Sequence, residues 1–261
     1  MRFAHVSDFH YTCNPEEFPS LRTDLVEAID KLIAELKNLE KYLDFVAITG
    51  DIAEAGDSAS YQRLKSLLEA FSIPVYLIPG NHDQREPMRN VYSSFLPLAN
   101  SGPLDFHIEL GDTQIIGLDT LIEGKDTGQL SEVQLSWFSS HIRQNHFAHS
   151  VIMIHHPPFP TGLSEFDSLC TLEGHSTFSN EIAGSNSDIT ILCGHVHRPY
   201  QALWNGANCY IAGSPASQYD GKYPFGDWAL EPVKEPFSYL IHTLDTSGNH
   251  IVNSRFPDLG A

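Results

Sequence analysis

Short apolar segments that end abruptly in Asp, Asn or His recur along this chain, and they constrain its fold more than any other feature. Phe45–Thr49 runs directly into Gly50-Asp51, and Val75–Ile78 runs into Pro79-Gly80-Asn81-His82-Asp83. Apolar residues recur at helical spacing in the intervening residues 61–71. Because strands alternate with helices and each strand ends in a polar loop, the pattern predicts a layered α/β fold.

Turn residues later in the chain predict hairpins in addition to strands joined by helices. Gly111-Asp112-Thr113 separates the strand-like residues 106–110 and 114–118, so the sheet is expected to be mixed. Asn205-Gly206 and Ser247-Gly248 mark two further hairpins.

The length of the chain and its continuous strand and helix pattern predict one domain. With 261 residues and 29.1 kDa, the chain is long enough to bury a full core. We expect that core over residues 1–212. Residues 213–261 are expected to add C-terminal strands and a segment that serves as a cap or as an interface in a homo-oligomer.

The acidic composition disfavours one class of partner. The chain has 15 Lys and Arg against 33 Asp and Glu, a formal net charge of -18. Polymeric nucleic acids bind basic surfaces, so no long DNA or RNA is expected as a partner. A small phosphate compound stays compatible with this composition, because bound metal cations would offset the acidic charge locally.

The sequence gives no sign of export or of membrane insertion. It opens on strand-like residues 2–7 without the basic and apolar segments of a secretory leader, and no later apolar run is long enough to span a bilayer. Its four cysteines lack close paired spacing and are interpreted as reduced thiols: Cys13, Cys170, Cys193 and Cys209. A cytoplasmic location without a membrane partner is therefore predicted.

Five predicted strands end in residue types that bind transition metals. The set consists of Asp8, His10, Asp51, Asn81, His82, His155, His195 and His197. One Asp-x-His or one His-x-His motif alone is more often structural than metal-binding. Strand ends that meet at one edge of an α/β sheet bring their loops together, so the whole set is far more specific. The sequence therefore predicts a metal site at this edge.

These motifs resemble those of the calcineurin-like metallophosphoesterases. The matching blocks are Asp8-Phe9-His10, Gly50-Asp51, Gly80-Asn81-His82-Asp83, His155 and Gly194-His195-Val196-His197, which span about three quarters of the chain. The resemblance implies a layered α/β sandwich of two mixed β-sheets flanked by helices, with a dinuclear metal site at the strand ends.

The resemblance also implies a ligand set. One metal ion would be held by Asp8, His10, Asp51 and His197, and the other by Asp51, Asn81, His155 and His195. The Asp51 carboxylate would bridge the two ions. Imidazole, carboxylate and amide ligands favour Mn, Fe, Zn or Co over Mg. Two such ions can hold a bridging hydroxide at neutral pH, which would attack the phosphorus atom of a phosphoester.

His82 follows a ligand without being one in the family pattern. Its imidazole is therefore free to donate a proton to the leaving oxygen or to stabilise the phosphoryl group, and we favour this role over a purely structural one. Asp83 is expected to orient His82 or to tie down the loop. The pair His155 and His156 is ambiguous, because the sequence does not show which ring points inward; the family pattern favours His155.

The other eight histidines lack a matching motif and are interpreted as surface or packed residues. They are His5, His107, His141, His146, His149, His175, His242 and His250.

Within the family, the motifs look most like those of bacterial class III cyclic nucleotide phosphodiesterases and glycerophosphodiesterases. This implies hydrolysis of small phosphodiesters, with Asp51, Asn81 and His82 as the catalytic residues. A phosphomonoesterase or nucleotide pyrophosphatase with the same site is the alternative, and a non-catalytic binding module is a more distant one. Substrate selection is expected from residues 11–19, 159–186 and 213–228, with residues 161–186 interpreted as a loop over the site that holds at most one short helix.

Overall fold

Two mixed β-sheets, packed face to face and covered by helices, form the core of the computed structural model. The structure describes residues 1–144, 146–162, 167–168, 172–219, 232–233, 235–245 and 247–258. The strands are β1 (Arg2–Val6), β2 (Phe45–Thr49), β3 (Val75–Ile78), β4 (Phe106–Leu110), β5 (Thr113–Leu118), β6 (Gly128–Gln129), β7 (His149–Ile154), β8 (Leu172–Glu173), β9 (Asp188–Cys193), β10 (Tyr200–Trp204), β11 (Ala207–Ile211), β12 (Gln218–Tyr219), β13 (Pro232–Val233), β14 (Tyr239–Leu244) and β15 (His250–Arg255). The helices are α1 (Leu25–Leu39), α2 (Ser58–Leu68), α3 (Arg85–Tyr92), α4 (Glu132–Ile142) and α5 (His175–Ala183), with short 3-10 helices at Pro15–Glu17 and Glu40–Tyr42.

Both sheets combine parallel and antiparallel strands. The first sheet has the order β15-β14-β1-β2-β3, in which β1, β2 and β3 are parallel and β14 is antiparallel to both of its neighbours. The second has the order β10-β11-β9-β7-β5-β4, with four parallel central strands and an antiparallel strand at each edge. The predicted layered α/β fold with two mixed sheets is therefore confirmed.

Strand β7 shows how the alternation of side chains builds the layers. Val151 and Met153 belong to the cluster that the second sheet shares with the first. Ile152 and Ile154 point the opposite way and join the cluster that contains Phe138 of α4. Successive residues of a strand face opposite sides, so a continuous apolar run is what a strand buried on both faces requires.

Helix starts follow the capping signals in the sequence. The Asp57 side chain accepts a hydrogen bond of 2.9 Å from the backbone N–H of Ser60 at the start of α2. Ser131 and Gln134 form the complete capping box ahead of α4. Each of these side chains satisfies a backbone donor that the helix itself leaves unpaired.

The sequence interpretation allows one short helix within the loop 161–186 without placing it. In the described part of this stretch, residues 175–183 form α5, whose Phe178 and Ile182 are buried against the second sheet. Two apolar residues four positions apart are enough to dock one helical turn, but they are too few to stand out as a periodic pattern. Residues 163–166 and 169–171 lie outside the described residues.

The C-terminal strands are integral to the first sheet. β14 pairs with β1, and β15 pairs with β14. The turn between β10 and β11 consists of Asn205 and Gly206, which both have positive φ angles, as a two-residue hairpin turn requires. The cap or interface role of residues 213–261 stays a prediction, and residues 220–231 lie outside the described part.

Two smaller observations bear on the sequence analysis. Cys13, Cys193 and Cys209 form no disulfide with one another, whereas Cys170 lies outside the described residues. Among the helices that the structure describes, none has the length and apolar character needed to cross a membrane.

A layer of buried histidines lies where the first sheet meets β11. His5 and His242 are fully buried, and Nδ1 of His242 lies 3.0 Å from Nε2 of His250. The ring of Tyr210 contacts both His242 and His250. Burial lowers the pKa of His5 to about 3 and that of His250 to about 4, and it holds the pKa of His242 well below its ordinary value. These rings are therefore neutral in the folded protein.

We expect this layer to make the protein sensitive to acid. The unfolded chain binds protons at these histidines below about pH 6.5 and the folded chain does not, so their contribution to stability is present above that pH and is lost on acidification. His242 alone should account for about 1 kcal/mol of unfolding free energy lost between about pH 7.5 and 5.5, or roughly 3 °C in Tm.

His242→Phe tests this expectation by thermal unfolding at both pH values. A phenyl ring retains the stacking of residue 242 on Phe3, whose ring centroid lies 4.8 Å away. The variant should lose less stability on acidification than the natural protein. Parallel losses in the two proteins would contradict the assignment.

Candidate metal centre

The loops that follow the strands have an unusual backbone at the predicted metal ligands. Five residues of the site have positive φ angles between 45° and 73°: Asp8, His10, Asp51, His195 and His197. Left-handed backbone costs roughly 1 kcal/mol or more for a residue that is not glycine. The surrounding structure must therefore hold these residues in place.

Hydrogen bonds between the loops after β1 and β2 provide part of that support. The N–H of Asp8 donates to the carbonyl of Gly50 at 3.1 Å, and the N–H of His10 donates to the carbonyl of Asp51 at 2.8 Å. The two loops therefore run side by side beyond the ends of their strands. This arrangement places the side chains of Asp8, His10 and Asp51 in one small volume.

The structure brings the eight predicted site residues together in two connected groups. In the first group, ligand atoms of Asp8, His10, Asp51 and His197 all lie within 4.8 Å of one another. In the second, the same holds for Asp51, His155 and His195. Oδ1 of Asn81 lies 3.1 Å from Nε2 of His155 and 2.9 Å from Nδ1 of His195. Asp51 belongs to both groups, and His82 lies beside them.

The hydrogen bonds of the imidazoles show that the site suits metal cations. Nδ1 of His155 faces the backbone carbonyl of Thr49 at 2.7 Å and must donate to it. Nδ1 of His197 faces both the carbonyl of Ser217 at 3.1 Å and its hydroxyl at 2.9 Å, and a protonated Nδ1 suits both oxygens. In the neutral ring this leaves Nε2 with a lone pair. Nε2 of His197 nevertheless faces Nε2 of His10 at 3.0 Å, and Nε2 of His155 faces the Asp51 carboxylate at 3.4 Å. In the neutral rings these lone pairs would be aimed at one another or at a carboxylate, an arrangement that a cation between the groups stabilises.

The electrostatics of the first group also favour a bound cation. Burial alone would lower the pKa of His10, but Asp51 and Glu54 outweigh it and raise that pKa well above its ordinary value. Burial and the neighbouring His10 hold the pKa of His197 well below the ordinary value. The carboxylates thus favour positive charge between these rings, where a metal ion would be held.

Glu54 is a site residue that the sequence analysis missed. Its carboxylate lies 2.5 Å from Nδ1 of His10 and 3.3 Å from Nδ1 of His82. Burial raises the pKa of Glu54, but the hydrogen bonds to the two imidazoles outweigh it and lower the pKa to about 2. Glu54 is therefore ionised and fixes the orientation of both rings. Its only signal in the sequence is an acidic residue in an apolar stretch three positions after Asp51.

His82 lies beside the two ligand groups and lines the cavity above them. Its backbone N–H donates to Oδ1 of Asp51 at 2.9 Å, and its Nδ1 donates to the carbonyl of Glu54 at 3.1 Å. The His82 side chain is 36% exposed, against 4% for His10. Burial lowers its pKa, but Asp51 and Glu54 raise it above the ordinary value.

Asp83 ties down the loop that carries Asn81 and His82. Its buried carboxylate accepts hydrogen bonds from the backbone N–H groups of Gly80 at 2.8 Å and Ile52 at 3.0 Å, and from the hydroxyl of Tyr61 at 2.8 Å. Gly80 is required here, since a Cβ at this position would overlap the Asp51 carboxylate. Of the two roles expected for Asp83, the described contacts favour fixing the loop.

His155, and not His156, faces the cluster. His156 is fully buried and uses both ring nitrogens elsewhere, at 2.7 Å from Oγ1 of Thr120 and 3.0 Å from the carbonyl of Asp126. Burial and the neighbouring His155 lower its pKa to about 3, so its ring is neutral. The ambiguity of the sequence is therefore settled by hydrogen bonding.

A cavity of about 230 Å³ opens directly over the cluster. The residues that line it are His10, Ser20, Leu21, Asp51, Glu54, Asn81, His82, Asp126, His195, His197, Ser217 and Tyr219. No Lys or Arg of the described residues contributes to this lining.

Comparison with known proteins identifies the class of this site. The model of the calcineurin-like phosphoesterases matches residues 1–199. The chain belongs to this family. The family uses dinuclear metal sites, and membership confirms the prediction of a phosphoester hydrolase.

Curated relatives extend the similarity over nearly the whole chain. The chain is 31% identical over 248 residues to the probable glycerophosphodiester phosphodiesterase GpdQ of Arcobacter nitrofigilis, covering 93% of this chain and 88% of that protein. It is 27% identical over 264 residues to the 3',5'-cyclic adenosine monophosphate phosphodiesterase CpdA of Escherichia coli K12, covering 99% and 93%. A dimetal phosphatase from Danio rerio shares the fold, with a TM-score of 0.71 at 13% identity over 98% of this chain and 96% of that one.

Replacing Glu54 with Gln should weaken metal binding. The change removes the negative charge that fixes His10, so we expect affinity for Mn²⁺ or Zn²⁺ to fall by about 10- to 100-fold. Metal titration followed by calorimetry measures this directly. Glu109→Gln, at an exposed position of β4, is the matched control. Equal affinities in the two variants would show that Glu54 does not support the metal centre.

Proposed function

We propose that this protein is a metal-dependent phosphodiesterase that hydrolyses small phosphodiesters. The observation that carries the proposal is the pair of ligand groups joined at Asp51 beneath an open cavity. Relatives named as glycerophosphodiester and cyclic nucleotide phosphodiesterases support diester substrates. The candidate substrates are glycerophosphodiesters and 3',5'-cyclic nucleotides.

The residues of the two groups would hold two transition metal ions, with Mn, Fe, Zn or Co suited to this donor set. Asp8, His10, Asp51 and His197 would hold one ion, and Asp51, Asn81, His155 and His195 the other. When bound, such ions supply Lewis acidity toward the phosphoryl oxygens and activate water as the nucleophile. Asp51 belongs to both groups, so its carboxylate would be shared between the two positions.

His82 is proposed to donate a proton to the leaving oxygen. Because its Nδ1 is engaged by Glu54, Nε2 is the nitrogen that carries the transferable proton. The pKa of His82, which Asp51 and Glu54 raise above its ordinary value, supports this role, since it favours the protonated ring. Asn81 would position the phosphoryl group beside it.

The charge of the cavity favours diesters over monoesters. A monoester carries a second negative charge near neutral pH, which is usually matched by Arg or Lys. The described lining offers neither, and it includes the acidic residues Glu54 and Asp126. Phosphomonoesters are therefore the second candidate. A cytoplasmic location and a homo-oligomeric state stay predictions that follow from the sequence.

The first test compares an aryl phosphodiester with the corresponding monoester. Mn²⁺-loaded protein should hydrolyse bis(p-nitrophenyl) phosphate with a higher kcat/KM than p-nitrophenyl phosphate. Preference for the monoester would indicate a phosphatase. Failure to hydrolyse either ester, in protein shown to bind metal, would favour a binding module.

Asp51→Asn should disturb both metal positions, because one carboxylate serves both groups. We expect metal content to fall and the diesterase activity to drop by at least about 100-fold. Asp57→Asn makes the same chemical change at the cap of α2, where Asn is tolerated equally, and is the control. Normal metal content in Asp51→Asn, measured by mass spectrometry, would refute the shared-ligand assignment.

His82→Ala separates proton donation from metal binding. Metal content should stay near that of the natural protein, while kcat falls by about 10²- to 10⁴-fold. The loss of activity at alkaline pH, which reports deprotonation of the donor, should disappear from the residual rate. A variant that loses its metal would show that His82 acts as a ligand.

A further inference from the structure

The loop between β5 and α4 is fixed to the metal centre by a buried histidine. His156 directly follows His155, and its two ring nitrogens contact Oγ1 of Thr120 at 2.7 Å and the carbonyl of Asp126 at 3.0 Å. The carbonyl accepts, so Nε2 donates to Asp126 and Nδ1 accepts from the Thr120 hydroxyl. Both ends of the loop segment 120–126 are therefore anchored to one rigid ring.

Further contacts make this anchor specific. The N–H of Gln129 donates to the carbonyl of Thr120 at 3.0 Å, which closes the loop on itself. Gly128 packs directly against the His156 ring, where any Cβ would overlap the imidazole. The loop therefore presents Asp126 at a defined place in the wall of the cavity.

Asp126 differs from the other acidic groups of the cavity. Asp51 belongs to the ligand groups, and the Glu54 carboxylate is engaged by His10 and His82. Asp126 is exposed, and no Lys or Arg of the described residues forms an ion pair with it. Its negative charge is therefore available to a bound molecule.

An aromatic residue lines the same cavity. The ring of Tyr219 lies 5.2 Å from that of His197 and contributes to the cavity wall. A carboxylate together with an aromatic ring is a combination that attracts organic ammonium groups, through charge and through the ring face.

We infer that Asp126 selects phosphodiesters whose alcohol carries an ammonium group over those whose alcohol is neutral. This inference rests on the proposed phosphodiesterase function and deepens it. Asp126 acts on the alcohol that stays attached to phosphorus, away from the bond that breaks, so its effect belongs to substrate binding. His156 positions Asp126 without contacting the substrate itself.

Two p-nitrophenyl diesters test the inference, because they differ only in the second alcohol. One is p-nitrophenyl phosphorylcholine, and the other is ethyl p-nitrophenyl phosphate. In both, water adds to phosphorus as the bond to the nitrophenyl oxygen breaks, and p-nitrophenolate leaves. The ratio of their kcat/KM values therefore reports recognition of the retained alcohol alone.

We expect the natural protein to favour the choline ester by about fivefold, a typical effect of one partly exposed charge and one aromatic contact. Asp126→Asn should bring the ratio close to one, mainly through a higher KM for the choline ester. Added salt should lower the ratio in the natural protein, because it screens an exposed carboxylate. Glu123→Gln removes one charge from an exposed position of the same loop outside the cavity lining, and it should keep the natural ratio.

The outcomes separate the inference from the function on which it rests. Hydrolysis of the ethyl ester without a preference for choline, or a ratio that survives Asp126→Asn, would overturn the role of Asp126 and leave the phosphodiesterase proposal standing. An equal loss of selectivity in Glu123→Gln would show a general charge effect and would also overturn it. Failure of metal-loaded protein to hydrolyse either diester would refute the function, and the inference with it.

Discussion

Buried carboxylates accepting backbone N–H groups from neighbouring loops are the interaction on which the site depends. Asp8 accepts from the N–H of His195 at 2.9 Å and so joins a loop of the first sheet to a loop of the second. Asp51 accepts from His82 at 2.9 Å, and Asp83 accepts from Gly80 at 2.8 Å. A buried carboxylate without such donors would be costly, because its charge is removed from water. The hydrogen bonds that stabilise each buried carboxylate therefore also fix a neighbouring loop.

The same acids explain why strained backbone is concentrated at the site. Left-handed φ angles at Asp8, His10 and Asp51 turn each loop sharply after its strand, so that several side chains of one loop can point inward. The energetic cost of these φ angles is offset by hydrogen bonds that form only when all the loops are in place. Positive charge at the centre would stabilise the site further, since Asp51 and Glu54 favour it between the rings of His10 and His197. The site is thus assembled cooperatively, and loss of one acid affects several loops.

The sequence predicts the parts of this arrangement that depend on strand register. Asp51, His155 and His195 follow continuous apolar runs, and parallel strands bring such positions to one edge. What the sequence could not show is the direction in which a side chain points. His156 turns away from the cluster, although it stands next to His155 in the chain. Glu54 is recognisable only through its tertiary contacts with His10 and His82. Helix α5 could not be placed within residues 161–186 from the sequence, because its buried face consists of few residues.

Reaction chemistry and substrate selection have different structural supports in this protein. The candidate catalytic groups stand at strand ends and are held by buried charges, so changes there affect metal binding and the positions of several loops together. The outer wall of the cavity comes from connecting segments. It includes Asp126, whose carbonyl is bound by His156, and Ser217, whose carbonyl and hydroxyl both contact His197. Substitution of a side chain such as that of Asp126 leaves its anchoring carbonyl in place. Selectivity for the alcohol of a phosphodiester can therefore change without disturbing the centre that would cleave it.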